Sequence, residues 1–342
     1  MIRLSVLDQS VAVTGRSEDV SIRETLTLAQ HCEALGYERF WLSEHHSHPS
    51  IVGSAPEVLM AAIAATTQRI RVGSAGVMLP HYSALKVAEQ FRVLEALAPG
   101  RIDLGVGRAP GSDGRTSQLL NPNARHAADE FPRQVRELRA WVSGTALPEG
   151  HPGCGVVAQP MGPSAPTLWM LGSSNYGAQL AAHDGLPYAF AYFITDGQGA
   201  EEALALYRSR YRPSLDHPRP QAALCVWALA ADTEDQAWHH FSSRARWKID
   251  RNQGALGPLL SPAEVALRPY TVAEQMEASK LRSTALVGSA AQVTGKLRIL
   301  AETLAVDELV VITWTHDPAA RRRSYELLAG EFCEKRYQPK NS

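Results

Sequence analysis

The sequence lacks clustered cysteines, a charge excess of either sign and any long apolar run, and each absence excludes a class of protein. The four cysteines (Cys32, Cys154, Cys225 and Cys333) are scattered and form no C-x-x-C pair, which favours a reducing cytoplasm over a disulfide-stapled exterior. Lys and Arg total 34 against 35 for Asp and Glu, so no overall field attracts nucleic acid or anionic lipid. No window approaches ~18 uninterrupted apolar residues. We therefore expect a cytoplasmic protein that binds neither nucleic acid nor membrane.

Internal repeats and low-complexity tracts are not evident either, and the composition is that of a folded globular protein. Apolar residues make up 45% and charged residues 20% of the 342 residues, close to the averages for soluble domains. Length alone would allow two domains, but α/β barrels exceed ~250 residues as one unit. We therefore expect a single domain over residues 1–342. Residues 2–8 alternate with a period of two and lack the apolar run of a signal peptide, which predicts a first strand.

Short runs rich in β-branched and aromatic residues alternate with helix-length amphipathic segments. The predicted strands lie near residues 2–8, 39–44, 70–78, 101–107, 167–172, 188–194, 222–230 and 308–314. The predicted helices lie near residues 21–35, 56–66, 83–97, 125–143, 175–184, 199–211, 233–250, 289–304 and 318–334. Strand followed by helix, repeated, indicates a parallel sheet. A doubly wound open sheet is the alternative, but it usually has fewer βα units, so the sequence predicts an α/β fold with a single (β/α)8 TIM barrel.

Local chemistry predicts several helix boundaries. Ser21-x-x-Glu24 forms a candidate capping box at the start of the first helix, and Gly36 is a candidate for its end. Asp317-Pro318 supplies a cap and a first-turn proline to the last helix.

Two segments interrupt the alternation of strands and helices. Residues 145–166 are rich in Pro and Gly and form an insertion before the fifth strand. A longer excursion, residues 254–285, precedes the eighth strand. Excursions of that length in a compact barrel are usually functional or mobile.

The residues that follow each strand are the first candidates for chemistry, because active sites of such barrels lie at the C-terminal ends of the strands. Residues 43–48 (SEHHSH) form the densest cluster of ionisable side chains. One interpretation is a metal site with Glu44, His46 and His48 as ligands, although the fifth and sixth strand ends offer no His, Lys or Cys. A second is acid–base chemistry by one imidazole, which titrates near neutral pH. The third is a set of partly exposed polar loop residues, the interpretation favoured for His48.

The ends of the fourth and fifth strands suggest a phosphate site. At the end of the fourth strand, Gly107 has no side chain and so allows a ligand to approach the backbone closely. The next residue, Arg108, adds a permanent positive charge. Gly172, Ser173 and Ser174 lead directly into a helix, whose first backbone amides favour anions. Plain N-capping by Ser or Asn is a sufficient alternative for this second group. Together with Arg108 on the neighbouring strand, the pattern favours phosphate.

Six motifs occur in a defined order along the chain. They are Glu44-His45-His46, residues 71–80 (RVGSAGVMLP), Ala88-Glu89-Gln90, Gly100-Arg101 through Arg108, Gly172-Ser173-Ser174 and Val287-Gly288. The ordered set, from Leu4 to about Phe332, resembles the bacterial luciferase-like family of flavin-dependent monooxygenases.

The resemblance implies reduced flavin mononucleotide (FMN) as the cofactor, usually delivered by a separate NAD(P)H:flavin reductase. Its reaction with O2 would give a peroxyflavin that oxygenates an organic substrate. By the same resemblance the general base is His45, Glu44 lines the same region, and the protein is a homodimer. The cofactor-binding positions that it implies are Ser74, Ala75, Gly107, Arg108, Gly172, Ser173, Ser174 and Tyr192.

The resemblance carries further expectations. Ser74 and Ala75 match a strand end with a non-prolyl cis peptide bond, a geometry that costs ~3 to 4 kcal/mol. Residues 254–285 match a mobile lid that excludes water. Luciferase itself has a reactive cysteine at the position of Gly107, so light emission and an aliphatic aldehyde substrate are not expected. A small apolar organic substrate is suggested by four pocket candidates that are equally compatible with plain core, namely Met170, Tyr192, Phe193 and Trp314.

Three other functions compete with the monooxygenase, and the last of them is disfavoured because the fifth and sixth strand ends offer no metal ligands, so no metal site is expected. The first is an F420-dependent oxidoreductase on the same fold, the second a non-catalytic flavin-binding barrel and the third a metal-dependent hydrolase. His45 argues against the non-catalytic barrel. Binding of F420 would favour the first of the three, and stoichiometric zinc would favour the last.

Overall fold

The computed structural model describes residues 2–332, apart from the side chains of residues 124 and 125, and strands alternate with helices throughout. The strands are β1 (Arg3–Asp8), β2 (Arg39–Leu42), β3 (Arg71–Met78), β4 (Ile102–Gly107), β5 (Thr167–Gly172), β6 (Tyr188–Phe190), β7 (Ala222–Ala231), β8 (Leu286–Ser289) and β9 (Glu308–Ile312). The helices are α1 (Glu18–Leu35), α2 (Pro56–Thr66), α3 (Ala84–Leu97), α4 (Gly114–Leu120), α5 (Ala124–Ala127), α6 (Phe131–Ser143), α7 (Asn175–Asp184), α8 (Tyr192–Thr195), α9 (Ala200–Arg210), α10 (Glu234–Asn252), α11 (Pro262–Ala266), α12 (Val272–Thr284), α13 (Ala290–Thr303) and α14 (Pro318–Phe332). The fold is the α/β, (β/α)8 barrel fold that the sequence predicts.

The first of two compact units comprises residues 2–38, 48–52 and 224–332 of the described chain. Its strands β1, β9, β7 and β8 pair in that order, all in parallel. Tyr37 packs edge-on against Tyr325, with ring centroids 5.7 Å apart. At the end of β1 the buried Asp8 accepts hydrogen bonds from Thr25 (Oγ1, 2.6 Å) and Arg321. A buried ion pair with further hydrogen bonds therefore ties β1 to the helices α1 and α14.

The second unit comprises residues 39–47 and 53–223. Its strands β2 to β6 pair in chain order, all in parallel. Near the strand starts the buried Asp103 accepts hydrogen bonds from Arg39 (Nη1, 2.8 Å), Arg71 (Nη2, 2.6 Å) and Trp41 (Nε1, 3.0 Å). Trp41 packs edge-on against Trp169, with centroids 5.1 Å apart. Since the chain forms two compact units, the single domain over residues 1–342 stays a prediction.

Several predicted boundaries are confirmed and others are wrong. Gly36 ends α1 in the left-handed conformation (φ 84°), and Asp317 Oδ1 accepts the Ala319 N–H at the start of α14. Residues 333–334 of that predicted helix lie outside the described residues. The capping box at Ser21 is wrong, because α1 begins earlier, at Glu18, and the Ser21 hydroxyl donates to Val11 O (2.8 Å).

Two predicted elements are shorter or divided, and one strand was not predicted. The strand predicted over 188–194 ends at Phe190, because residues 192–195 form the helical turn α8, which ends at Asp196 in the left-handed conformation (φ 51°). The helix predicted over 125–143 is divided into α5 and α6, since a proline in its first turn starts α6. A ninth strand, β8, pairs with the second half of β7 and was not predicted.

The insertion at residues 145–166 has no helix or strand, yet it is fixed at several points. The buried Arg92 of α3 donates to Pro160 O (2.9 Å) and Ser164 O (2.8 Å), and also to Val142 O at the end of α6 (3.0 Å). These bonds satisfy both the guanidinium and carbonyls that have no partner in a regular element.

None of the helices in the described range is both long and apolar enough to cross a bilayer. Cys32 and Cys225 are buried free thiols, and Cys154 is an exposed one. Cys333 lies outside the described residues.

The glycines of β4 give a test of how closely β3 and β4 approach. A Cβ at Gly105 would lie 2.1 Å from Ser74 O and 2.9 Å from a methyl carbon of Leu171, whereas a Cβ at Gly107 would meet nothing within 4 Å. We expect Gly105→Ala to lower the free energy of unfolding by about 1 to 3 kcal/mol, and Gly107→Ala to change it by less than about 0.5 kcal/mol. Urea unfolding measures both, and equal effects would contradict the close approach.

Candidate active site

All the predicted site residues belong to the second unit, where Ser74 and Ala75 lie within β3 and the others lie at the ends of β2, β4, β5 and β6 or just after them. Glu44, just after β2, is 1% exposed and its carboxylate is fully engaged. Oε1 accepts from the Tyr82 hydroxyl and from His46 Nε2, both at 2.7 Å, and Oε2 accepts from the Met78 N–H at 3.1 Å. Burial raises the pKa of Tyr82, and the Glu44 carboxylate raises it further, so the phenol stays a donor. Glu44 thus organises its neighbours, and its oxygens are directed into the protein.

His45 is half-buried and is oriented through two backbone carbonyls. Its N–H donates to Gly53 O (3.0 Å), and its ring nitrogen Nδ1 lies 3.3 Å from Gly111 O. A carbonyl oxygen can only accept, so this contact calls for the proton on Nδ1. The neutral imidazole then has a proton-accepting lone pair on Nε2.

Within β3 the backbone departs from the prediction by one residue. The non-prolyl cis peptide bond joins Ala75 to Gly76, so the prediction of a cis bond between Ser74 and Ala75 is wrong. The pairing of β3 with β4 shifts register between Ser74 and Val77, which places the irregular backbone after Ala75. The buried Ser74 hydroxyl donates to Gly105 O (2.9 Å), so Ser74 could meet a ligand only through its backbone. Ala75 is half-exposed.

The ends of β4 and β5 combine a cation with an uncapped helix start. Arg108 is exposed, and its guanidinium lies 4.0 Å from the centroid of the Tyr176 ring. Ser174 is extended (φ −152°, ψ 168°) and its side chain makes no capping hydrogen bond to α7. Side-chain capping, the alternative for this segment, is therefore not observed at Ser174. The half-buried Gly172 and Ser173 immediately precede it, so the first amides of α7 and the Arg108 cation can favour an anion.

Tyr192 lies at the start of α8, just after β6, and is half-buried. A Cβ at Gly197 (φ 87°) would lie 2.3 Å from Cζ of the Tyr192 ring, so the turn that follows α8 packs directly on this ring. Burial raises the pKa of Tyr192, and Asp196 raises it further, so the hydroxyl is protonated at neutral pH.

Two of the four pocket candidates belong to the core. Met170 is 0% exposed in β5, and Trp314 is 4% exposed and packs against Trp247 within the first unit. Of the two interpretations, burial therefore favours plain core for Met170 and Trp314. Tyr192 and Phe193 are half-buried, which keeps a pocket-lining role open for them.

The histidines of the metal interpretation have protein partners. His46 donates to Glu44, and His48 Nδ1 accepts the Ser50 N–H (3.1 Å). Between residues 2 and 332 no group of three or more His, Cys, Asp or Glu side chains is arranged to hold a metal ion.

Sequence reasoning missed three residues around His45. Tyr82 shares the carboxylate of Glu44, His81 Nε2 donates to Pro110 O (2.7 Å), and Gly111 supplies the carbonyl beside the His45 ring. The turn-forming residues 110–113 (PGSD) could have indicated a tight loop after β4. No sequence signal connects His81 with that loop.

A groove of about 340 Å³ runs along the outer side of α7. Its lining residues are Pro132, Tyr176, Gln179, Leu180, His183, Arg210 and Arg212. None of them is a predicted site residue, so the groove does not mark the candidate active site.

Comparison with known proteins gives the same family as the motifs. The model of the luciferase-like monooxygenase family matches residues 2–307. The uncharacterised protein YwcH of Bacillus subtilis is 43% identical, covering 98% of this chain and 100% of its own. The N-acetyl-S-alkylcysteine monooxygenase of B. subtilis is 36% identical, covering 96% of this chain and 98% of its own.

Solved structures share the fold over nearly the whole chain. Apo-MsnO8 superposes with a TM-score of 0.88 at 36% identity, covering 97% of this chain and 98% of its own. Two others are similar in fold alone. The oxygenating constituent of the 3,6-diketocamphane monooxygenase of Pseudomonas putida, in complex with FMN, has a TM-score of 0.70 at 19% identity, covering 99% of each chain. An F420-dependent secondary alcohol dehydrogenase has a TM-score of 0.66 at 13% identity, covering 96% of this chain and 98% of its own. From the family match and the close relatives together, the chain belongs to the luciferase-like monooxygenase family.

Proposed function

We propose that this protein is a monooxygenase that uses reduced FMN and O2 to oxygenate a small apolar organic substrate. Its monooxygenase relatives support an oxidoreductase. The observation that carries the finer proposal is His45, whose Nδ1 faces the Gly111 carbonyl, so that the ring proton belongs on Nδ1 and Nε2 is the nitrogen with basic character. The chemistry that reduced FMN supplies when bound is activation of O2 for transfer of one oxygen atom, while the other leaves as water.

The residues of the second unit fit the phosphate end of FMN. Arg108 supplies an exposed cation, and the first amides of α7 after Ser173 and Ser174 have no capping hydrogen bond from the Ser174 side chain. The Tyr188 hydroxyl donates to Ser174 O (3.3 Å), which holds the approach to the helix. Dianionic phosphate is stabilised by such donors and by the helix dipole.

Ala75, Gly107 and Tyr192 are proposed to meet the flavin ring. Ala75, within β3, and Tyr192, just after β6, are half-exposed, and the space beyond Gly107 is open. His45 is proposed to accept a proton at Nε2. Glu44 is proposed as a positioning residue, because its carboxylate is buried and both of its oxygens accept hydrogen bonds from the protein.

Substitution of Arg108 tests the phosphate assignment. We expect Arg108→Ala to weaken binding of reduced FMN about 10- to 100-fold, since a hydrogen bond to a charged group contributes ~1.5 to 3 kcal/mol. Arg115→Ala, which removes an exposed cation of α4, is the matched control and should change the affinity less than about twofold. Anaerobic fluorescence titration measures both, and equal losses in the two variants would argue for a general charge effect instead.

The proposed reaction is tested with ¹⁸O2. The protein is titrated anaerobically with reduced FMN, then mixed with ¹⁸O2 and a panel of small organic substrates: apolar compounds and, for comparison, an N-acetyl-S-alkylcysteine, the class named for a 36%-identical relative. We expect a product that contains one ¹⁸O atom. Absence of FMN binding would contradict the proposal, and binding of F420 with hydride transfer to a ketone would establish the alternative.

Four wider assignments complete the proposal: a reductase partner, a cytoplasmic location, a lid and a homodimer. A separate NAD(P)H:flavin reductase supplies reduced FMN, the protein is cytoplasmic, and residues 254–285 act as a mobile lid that excludes water. The lid segment has its own helices, and Arg246 bonds Glu274 of α12 (3.0 Å). The homodimer is supported by exposed apolar side chains on α2 and α3, namely Val58 (64% exposed), Val93 (48%) and Leu97 (63%).

A further inference from the structure

The loop after β4 presents two consecutive carbonyl groups to two different histidines. His81 Nε2 lies 2.7 Å from Pro110 O, and His45 Nδ1 lies 3.3 Å from Gly111 O. The His46 N–H also donates to Gly111 O at 3.3 Å. The orientation of the His45 ring is therefore coupled to the position of the Pro110-Gly111 peptide.

His81 is placed to hold that peptide. Its side chain is 6% exposed, its ring packs edge-on against His46 (6.1 Å between centroids), and Nδ1 has no hydrogen-bond partner among the described residues. The bond to Pro110 O is thus the polar contact through which this buried imidazole holds the loop. Because the ring is held in place by burial, its hydrogen bond to the loop carbonyl can fix the position of that loop.

Gly111 is the residue that allows the loop to come so close. Its φ of 58° lies in the left-handed region, and a Cβ there would be 2.4 Å from Cε of Met78 and 3.1 Å from Glu44 O. The carbonyl can therefore reach the His45 ring only from a glycine backbone pressed against the β2 and β3 ends. A small shift of the Pro110-Gly111 loop would therefore move the Gly111 carbonyl out of hydrogen-bond distance of His45 Nδ1.

We propose that His81 is a positioning residue, which holds the Pro110-Gly111 peptide so that the Gly111 carbonyl fixes His45 in its Nδ1–H form with Nε2 as the proton acceptor. The tautomer of a histidine is set by the hydrogen bond of its other nitrogen. The role of Nε2 as a base rests on the proposed function, but the tautomer itself does not.

The tautomer is measured in the protein without FMN. Protein labelled with ¹⁵N-histidine is examined by two-bond ¹H–¹⁵N correlation at about pH 8, where an ordinary imidazole is neutral, and the His45 signals are identified by their loss in His45→Gln. We expect His45 as the Nδ1–H form in the native protein. In His81→Ala the Nε2–H form should rise several-fold, and in His81→Gln, whose amide can still donate to Pro110 O, the native form should be retained.

A control variant and the results that would overturn the proposal are as follows for the same NMR measurement. His183→Ala removes an exposed histidine of α7 and should leave the His45 signals unchanged. A native protein with His45 in the Nε2–H form would overturn the proposal even if His81→Ala does not fold, as would a folded His81→Ala with unchanged signals. If His45 is in the Nδ1–H form but reduced FMN does not bind, the proposed function fails and the positioning role stands. In the active protein His81→Ala should slow oxygenation about 10- to 100-fold with less than about a twofold change in FMN affinity.

Discussion

Replacement of His45 by Gln is expected to slow oxygenation about 100- to 10,000-fold, with less than about a threefold change in the affinity for reduced FMN. The rate falls because a positioned general base contributes a factor of this size, and Gln has no titratable nitrogen. The affinity is kept because the proposed phosphate contacts belong to Arg108 and α7. Single-turnover oxygenation and anaerobic titration measure the two quantities.

His48→Gln is the matched control for this experiment. His48 lies three residues further along the same segment, and burial, with Arg251 adding to it, lowers its pKa. Its Nδ1 accepts the Ser50 N–H, so we expect little effect on the oxygenation rate. Equal losses from the two substitutions, or a loss of FMN binding without loss of rate, would contradict the base assignment.

Substitution of Asp103 by Asn is expected to lower the free energy of unfolding at pH 7 by about 3 to 5 kcal/mol, because removal of one partner leaves buried cations without their counter-charge. Arg39 is 5% exposed and Arg71 is half-buried. Urea unfolding measures the effect. Asp307→Asn, which breaks a pair with Arg3 in which the aspartate is 70% exposed, is the control and should cost less than about 1 kcal/mol.

The same carboxylate predicts how stability depends on pH. Burial alone would raise the pKa of Asp103, but Arg39 and Arg71 outweigh burial and hold the pKa below its ordinary value of 3.8. The unfolded state therefore takes up a proton first as pH falls, and stability present above about pH 4 is lost between that pH and the lower pKa of the folded state. We expect the free energy of unfolding of Asp103→Asn to fall less steeply over this range. Parallel curves for the two proteins would show that other carboxylates carry the acid sensitivity.

The barrel was predictable because most of its strands and helices show a regular alternation of apolar and polar residues. The errors lie at positions where a turn or a single hydrogen bond determines the local structure. The aromatic residues after Phe190 predict a longer β6, but the left-handed Asp196 and Gly197 complete a helical turn there. The short β8 carries too few residues to show a period. The first helix begins before Ser21. The Ser21 hydroxyl does not cap the helix but donates to Val11 O, a contact that no local pattern indicates.

For the candidate site, the sequence predicted which residues lie near the strand ends but not which side chains contact each other there. Arg108 and Ser174 could be placed near each other because β4 and β5 were expected to be neighbours, and they are. The contacts of Glu44 could not be predicted, because Tyr82 and Met78 come from a different βα unit. The partner of His45 was missed for the same reason, since Gly111 O is 66 residues away in the chain.

In the second unit, strand β4 has a buried ion cluster at its start, around Asp103, and an open space at its end, beyond Gly107. The two ends are about 13 Å apart along an extended strand. The residues that stabilise the fold at one end are therefore different from the residues of the proposed site at the other. In a genetic screen, substitutions of Arg39 or Asp103 should therefore appear as loss of protein abundance in the cell. Substitutions of His45 or Arg108 should appear as a normal amount of inactive protein, so measuring abundance beside activity separates the two phenotypes without purification.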